Sequence, residues 1–307
     1  MMTVAGLNSA IDKLLELDAL TPGLVLRARD AGAWPGGKGV HVATCAAVLD
    51  QPVRLTGLVD DANREWFAAW LRARGVDFHA IDTPTAIRTC LAIRERAGRI
   101  TEILEAGTPI DADVCEAALH TVVNVCRTSS VAVLTGSLPP GMSSDMYRDV
   151  IAALIDTRVL VDASGDLLRH ALTARPFAVK PNRTEAEELT GLHIDSPRSA
   201  AAAAWTLVQS GVRLAVISLG AEGAVACWDD RACHLPAPAV DAINEVGAGD
   251  CLLGGIAAAL ARGDDIIDAL RLGVAAGTAK VLSPDTGGVR RSDIDNLLPA
   301  VHVTWLS

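Results

Sequence analysis

The most informative part of the chain is the stretch Asn244-Glu245-Val246-Gly247-Ala248-Gly249-Asp250, which runs directly into the apolar segment Cys251-Leu252-Leu253-Gly254-Gly255. This pattern predicts a small-residue turn that places an aspartate in the first turn of a helix. The N–H groups of Gly247, Ala248 and Gly249 would be unpaired at the helix N-terminus, where the helix dipole favours a phosphate. Asp250 would then face the hydroxyl that accepts the phosphate. The alternative interpretation is a plain glycine turn in which Asp250 only caps the helix.

Composition limits the fold and the class of partner. Half of the 307 residues are hydrophobic but only 3% are aromatic, so the core must consist of Ala, Val, Leu and Ile, as in helices packed on a buried parallel sheet. The formal charge of −10 argues against nucleic acid and against an anionic membrane surface as partners. We find no basic leader, no apolar run of about 18 residues and no CxxC pair, and we therefore expect a cytoplasmic protein with reduced thiols.

Two kinds of periodicity divide the chain. Short apolar runs such as Val131–Leu134 and Leu214–Ser218 alternate with helical stretches that begin near Asp, Ser, Thr or Asn, which predicts an α/β fold. Residues 13–35 and 86–105 break this pattern and are typical of antiparallel β-structure. We expect them to form a small sheet of about four strands within a single domain spanning residues 1–307. Such a half-exposed sheet needs a substrate, a partner subunit or both to cover it.

Two further glycine-rich motifs are candidates for ligand binding. Gly36-Gly37-Lys38-Gly39 precedes a predicted helix and is either a phosphate cradle or a turn with a solvated lysine. The loop Gly136-Ser137-Leu138-Pro139-Pro140-Gly141 follows a buried strand, at the sheet edge where α/β proteins bind ligands. A plain tight turn explains that loop equally well.

Two motifs later in the chain have a structural and a functional interpretation of equal weight. After Lys180-Pro181, Asn182 and Glu185 have the spacing of a capping box, and they could also orient waters around a Mg2+ ion. The segment from Ser218 to Gly223 is either a hairpin turn or a close approach to a nucleotide.

Taken together and in this order, these motifs resemble the ribokinase-like sugar kinases. Asn8-Ser9-Ala10-Ile11-Asp12, Thr101-Glu102-Ile103-Leu104-Glu105-Ala106-Gly107 and the Gly-Ser-Leu-Pro-Pro-Gly loop resemble the branch that contains 1-phosphofructokinase and tagatose-6-phosphate kinase. The resemblance implies a three-layer α/β/α fold with a mainly parallel sheet and a small β-sheet lid, 13–35 and 86–105, that packs against a second subunit in a homodimer. It also implies phosphorylation of a phosphorylated ketohexose by ATP with Mg2+, most simply of fructose 1-phosphate to fructose 1,6-bisphosphate.

The same resemblance implies a role for each matching residue. Asp250 would be the general base, and Gly247, Ala248 and Gly249 would form the anion hole. The sugar phosphate would be bound by a set of mainly polar residues: Asp12, Arg27, Gly37, Lys38, His41, Arg88 and Ser137. The nucleotide would lie along Lys180, Asn182, Ser218, Gly220 and Gly223, and Glu185 would reach the metal through water.

This chain departs from the family pattern at four positions, of which Ser9 for a proline and Cys251 for a serine are the milder changes. His41 stands where the family has Asn, and Glu245 stands where Thr or Ser is usual. The sugar is therefore open between fructose 1-phosphate, tagatose 6-phosphate and fructose 6-phosphate. A regulatory protein that binds phosphosugar or nucleotide with weakened catalysis is the alternative from another class.

Overall fold

A computed structural model describes residues 1–285 and 288–306 of the chain. Within them, the strands are β1 (Met2–Ala5), β2 (Ala10–Leu17), β3 (Asp30–Gly36), β4 (Val53–Asp60), β5 (Val76–Thr83), β6 (Arg88–Glu95), β7 (Ile100–Leu104), β8 (Val131–Thr135), β9 (Arg158–Asp162), β10 (Ala178–Val179), β11 (Leu214–Ser218), β12 (Ala224–Trp228), β13 (Arg231–Leu235) and β14 (Thr304–Trp305). The helices are α1 (Lys38–Val48), α2 (Asp61–Arg72), α3 (Ala112–Cys126), α4 (Met146–Ala153), α5 (Gly165–Thr173), α6 (Arg183–Thr190), α7 (Pro197–Gln209), α8 (Ala248–Arg262), α9 (Ile266–Lys280) and α10 (Arg291–Leu297).

The larger sheet is the middle layer of three. Its ten strands lie in the order β14-β13-β12-β11-β10-β9-β8-β1-β4-β5, and every pairing from β11 to β5 is parallel. Alternate residues of β8 point to opposite faces, so Val131 and Val133 pack with α1, α8 and α9 while Ala132 and Leu134 pack with α3, α4 and α7. The sequence-based expectation of a mainly parallel α/β sheet is confirmed.

The smaller sheet has four strands in the order β3-β2-β6-β7, as the sequence predicts. The antiparallel pairing predicted within each segment is present in β2–β3 and β6–β7. The sequence did not predict how the two segments pair with each other: β2 and β6 run parallel, with Asp12 opposite Cys90. Both strands leave the body at the same edge and run outward, so they lie side by side in the same direction. Only their returning partners, β3 and β7, are antiparallel to them. The sheet therefore joins two hairpins through a parallel seam.

Helices α8 and α9 pack at the closest distance that backbones allow. A Cβ atom on Gly255 would lie 2.8 Å from the Cα of Gly273, so no side chain fits between the two helices at this point. Gly277 is similarly close to the carbonyl oxygen of Ala248 in the first turn of α8. The contact fixes the helix that carries Asp250. Within the described ranges, none of the helices is both long enough and apolar enough to cross a bilayer.

Candidate active site

A cleft lies where the carboxyl ends of the parallel strands meet the smaller sheet. This is the edge of an α/β sheet at which ligands bind. The segments that line it follow β1, β3 and β8 or begin β6. The cleft therefore brings together four residues predicted to bind the substrate: Gly37, Lys38, Arg88 and Ser137.

Beside this cleft, three buried side chains form what we call the acid–histidine cluster: Asp12 of β2, His41 of α1 and Asp250 of α8. His41 Nε2 lies 2.8 Å from Asp12 Oδ2, and His41 Nδ1 lies 2.9 Å from Asp250 Oδ2. The three residues are 5%, 7% and 7% exposed, respectively. The imidazole thus bridges two carboxylates that are far apart in the sequence.

The charges within this cluster follow from its geometry. Burial alone would lower the pKa of His41, but the hydrogen bonds and negative charges of Asp12 and Asp250 raise it to about 10. Burial raises the pKa of Asp250, yet His41 first, and then Lys38 and Lys180, bring it below its usual value. At neutral pH the ring is therefore an imidazolium that donates from both nitrogens. One cation between two carboxylates gives the acid–histidine cluster a formal charge of −1.

His41 was predicted to contact a sugar hydroxyl, and that role stays a prediction. Both ring nitrogens are engaged by carboxylates, so a hydroxyl would have to replace one of these partners. Gly36 explains how Asp12 reaches the ring from the neighbouring strand. A Cβ atom on Gly36 would lie 2.0 Å from the carboxyl carbon of Asp12, so only glycine leaves room for this carboxylate.

A second group, which we call the lysine–aspartate cluster, contains Lys38, Asp162 and Lys180. Lys38 Nζ is 3.5 Å from Asp162 Oδ2, and Lys180 Nζ is 3.4 Å from Asp162 Oδ1. The negative charge of Asp162 raises the pKa of Lys38, which is therefore a cation. Lys180 also reaches the start of α8, where a Cβ atom on Gly249 would lie 3.4 Å from its Nζ. Two ammonium groups around one carboxylate carry a formal charge of +1.

Sequence reasoning did not select Asp162 as a site residue. The available signal was its position as the last residue of the apolar run Val159–Asp162, because side chains at the carboxyl ends of parallel strands face the ligand edge. Asn8 was also missed, although its motif was noted. Its Nδ2 donates to Ser137 Oγ at 3.0 Å and to the carbonyl oxygen of Ala106 at 3.1 Å, and so it joins the cleft to the segment after β7.

The glycine turn before α8 has the predicted form with one exception. The N-cap is Gly247, with a φ of 84°, and α8 begins at Ala248 with Asp250 in its first turn. The expectation of three unpaired N–H groups was wrong at Ala248, whose N–H donates to the carbonyl oxygen of Glu245 at 3.1 Å. Within the described parts of the chain, the N–H groups of Gly247 and Gly249 have no hydrogen-bond partner.

The motifs predicted to contact nucleotide and metal form the capping box and the hairpin turn that were their structural interpretations. Asn182 and Glu185 form a capping box, with Asn182 Oδ1 accepting from Glu185 N at 2.9 Å and Glu185 Oε2 accepting from Asn182 N at 2.8 Å. Ser218 pairs with Ala224 across the hairpin turn that contains Gly220 and Gly223. The β-bridge between Asn182 and Ser218 places both motifs at the same sheet edge. Their contacts with nucleotide stay predictions.

The two predicted phosphate-binding arginines lie in different places. Arg88 lines the cleft, where its Nε donates to the carbonyl oxygen of Asn8 at 3.2 Å and its Nη1 to that of Glu105 at 3.0 Å. Arg27 lies in the exposed connection between β2 and β3 and is not among the residues that line the cleft. Of these two arginines, Arg88 alone is positioned at the site within one copy of the chain.

Comparison with known proteins gives a family and named relatives. Residues 6–291 match the family described as pfkB family carbohydrate kinase. A 1-phosphofructokinase from Xanthomonas campestris pv. campestris is 36% identical over 83% of this chain and 82% of its own length. A 1-phosphofructokinase from Haloferax volcanii is 34% identical over 95% of this chain and 93% of its own.

Solved structures give the same fold. Phosphofructokinase-2 from Escherichia coli, in complex with substrates and products, superposes with a TM-score of 0.91 at 26% identity and covers 98% of this chain and 99% of its own. Arabidopsis thaliana ribokinase, complexed with ribose and ATP, has a TM-score of 0.77 at 21% identity, over 97% of this chain and 98% of its own, which supports the fold alone. The expected ribokinase-like architecture is confirmed.

Proposed function

Since this chain belongs to the pfkB family of carbohydrate kinases and is a phosphotransferase with a hydroxyl acceptor, we propose that it converts D-fructose 1-phosphate and ATP to fructose 1,6-bisphosphate and ADP. The choice of sugar rests on two relatives, 36% and 34% identical, that are both 1-phosphofructokinases. Phosphorylation of fructose 6-phosphate is the second candidate, because an Escherichia coli phosphofructokinase-2 structure with a TM-score of 0.89 contains that sugar.

The observation that carries the proposal is the adjacency of a buried carboxylate and a cationic cluster at the start of α8. Asp250 accepts the proton of the attacking hydroxyl, whose oxygen forms a bond to the γ-phosphorus while the bond from phosphorus to the ADP oxygen breaks. Lys38, Lys180 and the free N–H groups of Gly247 and Gly249 face the charge of the transferred group. Fixed donors of this kind stabilise a transition state without reorganisation.

The residues present fit a hydrated Mg2+ ion better than a metal held directly by protein. Among the described residues, no group of three or more His, Cys, Asp or Glu side chains is arranged to hold a metal. Glu185 uses Oε2 in its capping box, which leaves Oε1 for a bound water, and Asp162 is occupied by two lysines. Mg2+ retains several waters and binds largely through substrate phosphates, where it would neutralise their charge.

The smaller sheet supports both sugar binding and dimerisation. Asp12 and Arg88 lie in its strands β2 and β6, whereas Leu24 and Val25 in the β2–β3 connection and Ile103 and Leu104 in β7 expose large apolar side chains. Exposed apolar groups on a sheet favour a protein partner. We propose a homodimer through this lid, in which Arg27 of one copy is available to the sugar phosphate bound by the other.

A coupled ADP-release assay over fructose 1-phosphate, fructose 6-phosphate, tagatose 6-phosphate and fructose tests the substrate. We expect the highest kcat/KM for fructose 1-phosphate. Arg88→Ala removes a charge-assisted contact with the sugar phosphate, so it should raise KM for that substrate about 10-fold or more while leaving KM for fructose nearly unchanged. Arg96→Ala, in the exposed turn between β6 and β7, is the matched control.

Each alternative gives a different result in the same assay. A higher kcat/KM for fructose 6-phosphate or tagatose 6-phosphate replaces the proposed sugar with that one. Equal KM increases for fructose and its phosphate would mean that Arg88 has a structural role. Binding of sugar phosphate and ATP by calorimetry without ADP release would replace the kinase with a regulatory binding protein.

A further inference from the structure

We infer that His41 is a positioning residue that joins Asp12 of the smaller sheet to Asp250 of α8 and orients the general base toward the acceptor hydroxyl. The inference rests on the proposed function, because it takes Asp250 as the base. It goes further in giving the base a partner and in connecting that base to the lid.

The orientation of the Asp250 carboxylate follows from which of its two oxygens accepts a hydrogen bond. His41 Nδ1 donates to Asp250 Oδ2 at 2.9 Å, while Oδ1 has no hydrogen-bond partner among residues 1–285 and 288–306. A carboxylate rotates readily about its terminal torsion, so a fixed donor at one oxygen restricts where the other points. The imidazolium therefore leaves one defined oxygen, Oδ1, to accept the proton.

The connection to the lid follows from the other ring nitrogen. His41 Nε2 donates to Asp12 Oδ2, and Asp12 lies in a central strand of the smaller sheet, opposite Trp34 of β3 and Cys90 of β6. A displacement of this sheet would move Asp12 and weaken the hydrogen bond that holds the ring. His41 thus couples the position of the lid to the orientation of the base.

The surroundings determine how the cluster responds to pH. Besides Asp12 and Asp250, the charged groups that act on it are Glu102 of β7, Lys38, Lys180 and Lys280 of α9. Burial first, and then Asp12 and Asp250, raise the pKa of Glu102, while His41 opposes that rise. His41 donates directly to Asp250, so its removal takes away the cation that is hydrogen-bonded to the base.

The test compares His41→Asn with wild type and with His79→Asn, a matched control in which an exposed histidine paired with Asp77 is changed. Asparagine is too short and uncharged to bridge both carboxylates. We expect kcat to fall about 10- to 100-fold, the usual cost of misplacing a reacting group, and the acidic limb of kcat/KM to move to higher pH. Asp12→Asn should lower kcat by less, since His41 then keeps its hydrogen bond to Asp250. The control should match wild type.

Asp250→Asn separates the inference from the proposed function. If Asp250→Asn is inactive while His41→Asn keeps the wild-type kcat and pH profile, the base stands and the role of His41 is overturned. If Asp250→Asn is fully active, the proposed base itself fails. Nitrogen-15 NMR of the wild-type imidazoles gives a readout that needs no folded variant: at pH 8 one ring should be protonated on both nitrogens, and a set of only neutral rings would overturn the inference.

Discussion

The acid–histidine cluster and the lysine–aspartate cluster have the same design with opposite signs. Each consists of one central ion between two ions of opposite charge, and together they place −1 beside +1 at the start of α8. They differ in how far their side chains are exposed to solvent. The side chains of the acid–histidine cluster are 7–9% exposed, whereas Lys38 in the other cluster has a side chain that is 43% exposed.

Hydrogen bonding shows the same difference. Both ring nitrogens of His41 make short hydrogen bonds, but Asp162 Oδ1 lies within ion-pair distance of Lys180 and, among the described residues, accepts no hydrogen bond. The first cluster satisfies both donors of its central ion internally, whereas the second leaves an acceptor unpaired and an exposed ammonium group for an incoming anion. Under the proposed function, the base therefore lies in a closed network and the phosphate contacts in an open one.

The comparison predicts the largest effect at Asp250. Asp250→Asn keeps the size of the side chain but removes the proton acceptor, so kcat should fall about 10²- to 10⁴-fold. ATP affinity should change little, because the lysine–aspartate cluster is intact. Turnover and ATP binding are measured by ADP release and calorimetry, and turnover close to wild type would contradict the assignment of the base.

The next largest effect is expected on stability at Asp162, the central ion of the lysine–aspartate cluster. Asp162→Asn leaves two ammonium groups beside a neutral amide in a buried position, and we expect the free energy of unfolding to fall by roughly 3 kcal/mol. Sulfate should restore more stability to this variant than to wild type, because an anion replaces the lost charge. Denaturation in urea with and without sulfate measures both changes, with the exposed Asp156→Asn as control. If wild type, Asp162→Asn and Asp156→Asn had the same free energy of unfolding, Asp162 would not be the ion that holds the two lysines together.

A smaller change in the free energy of unfolding is expected when the pH is raised. Because the pKa of His41 is raised to about 10 in the folded protein from 6.5, its stabilising contribution is complete below pH 6.5 and is lost as pH rises through 10. Between pH 7 and 9 the unfolding free energy of wild type should fall by roughly 2–3 kcal/mol relative to His41→Asn. Denaturant titrations at each pH measure it. A constant difference would mean that His41 is neutral in the folded state.

The fold was predictable because its signals are local. Apolar runs, helix starts and glycine turns each depend on neighbouring residues, and they identified the parallel sheet, the small sheet and the turn before α8. The direction of β2 against β6 was not predictable in this way, since it depends on where both strands leave the body rather than on their own residues.

The clusters were only half predictable for the same reason. Five of the six cluster residues were recognised from their motifs or from the resemblance, namely Asp12, Lys38, His41, Lys180 and Asp250. However, Asp12 and Asp250 are 238 positions apart (250 minus 12), and only the folded chain brings both to one imidazole. The pairing of Ala248 N–H with Glu245 likewise depends on the exact path of the turn. Sequence indicates which residues carry chemistry, and packing decides which of them meet.

The backbone contact between Gly255 and Gly273 has a consequence for motion. A helix pressed against its neighbour without intervening side chains cannot tilt or slide without a collision, so α8 and its aspartate behave as one rigid body with α9. In the proposed reaction, the acceptor hydroxyl would therefore meet a base whose backbone position is fixed by the packing of α8 on α9.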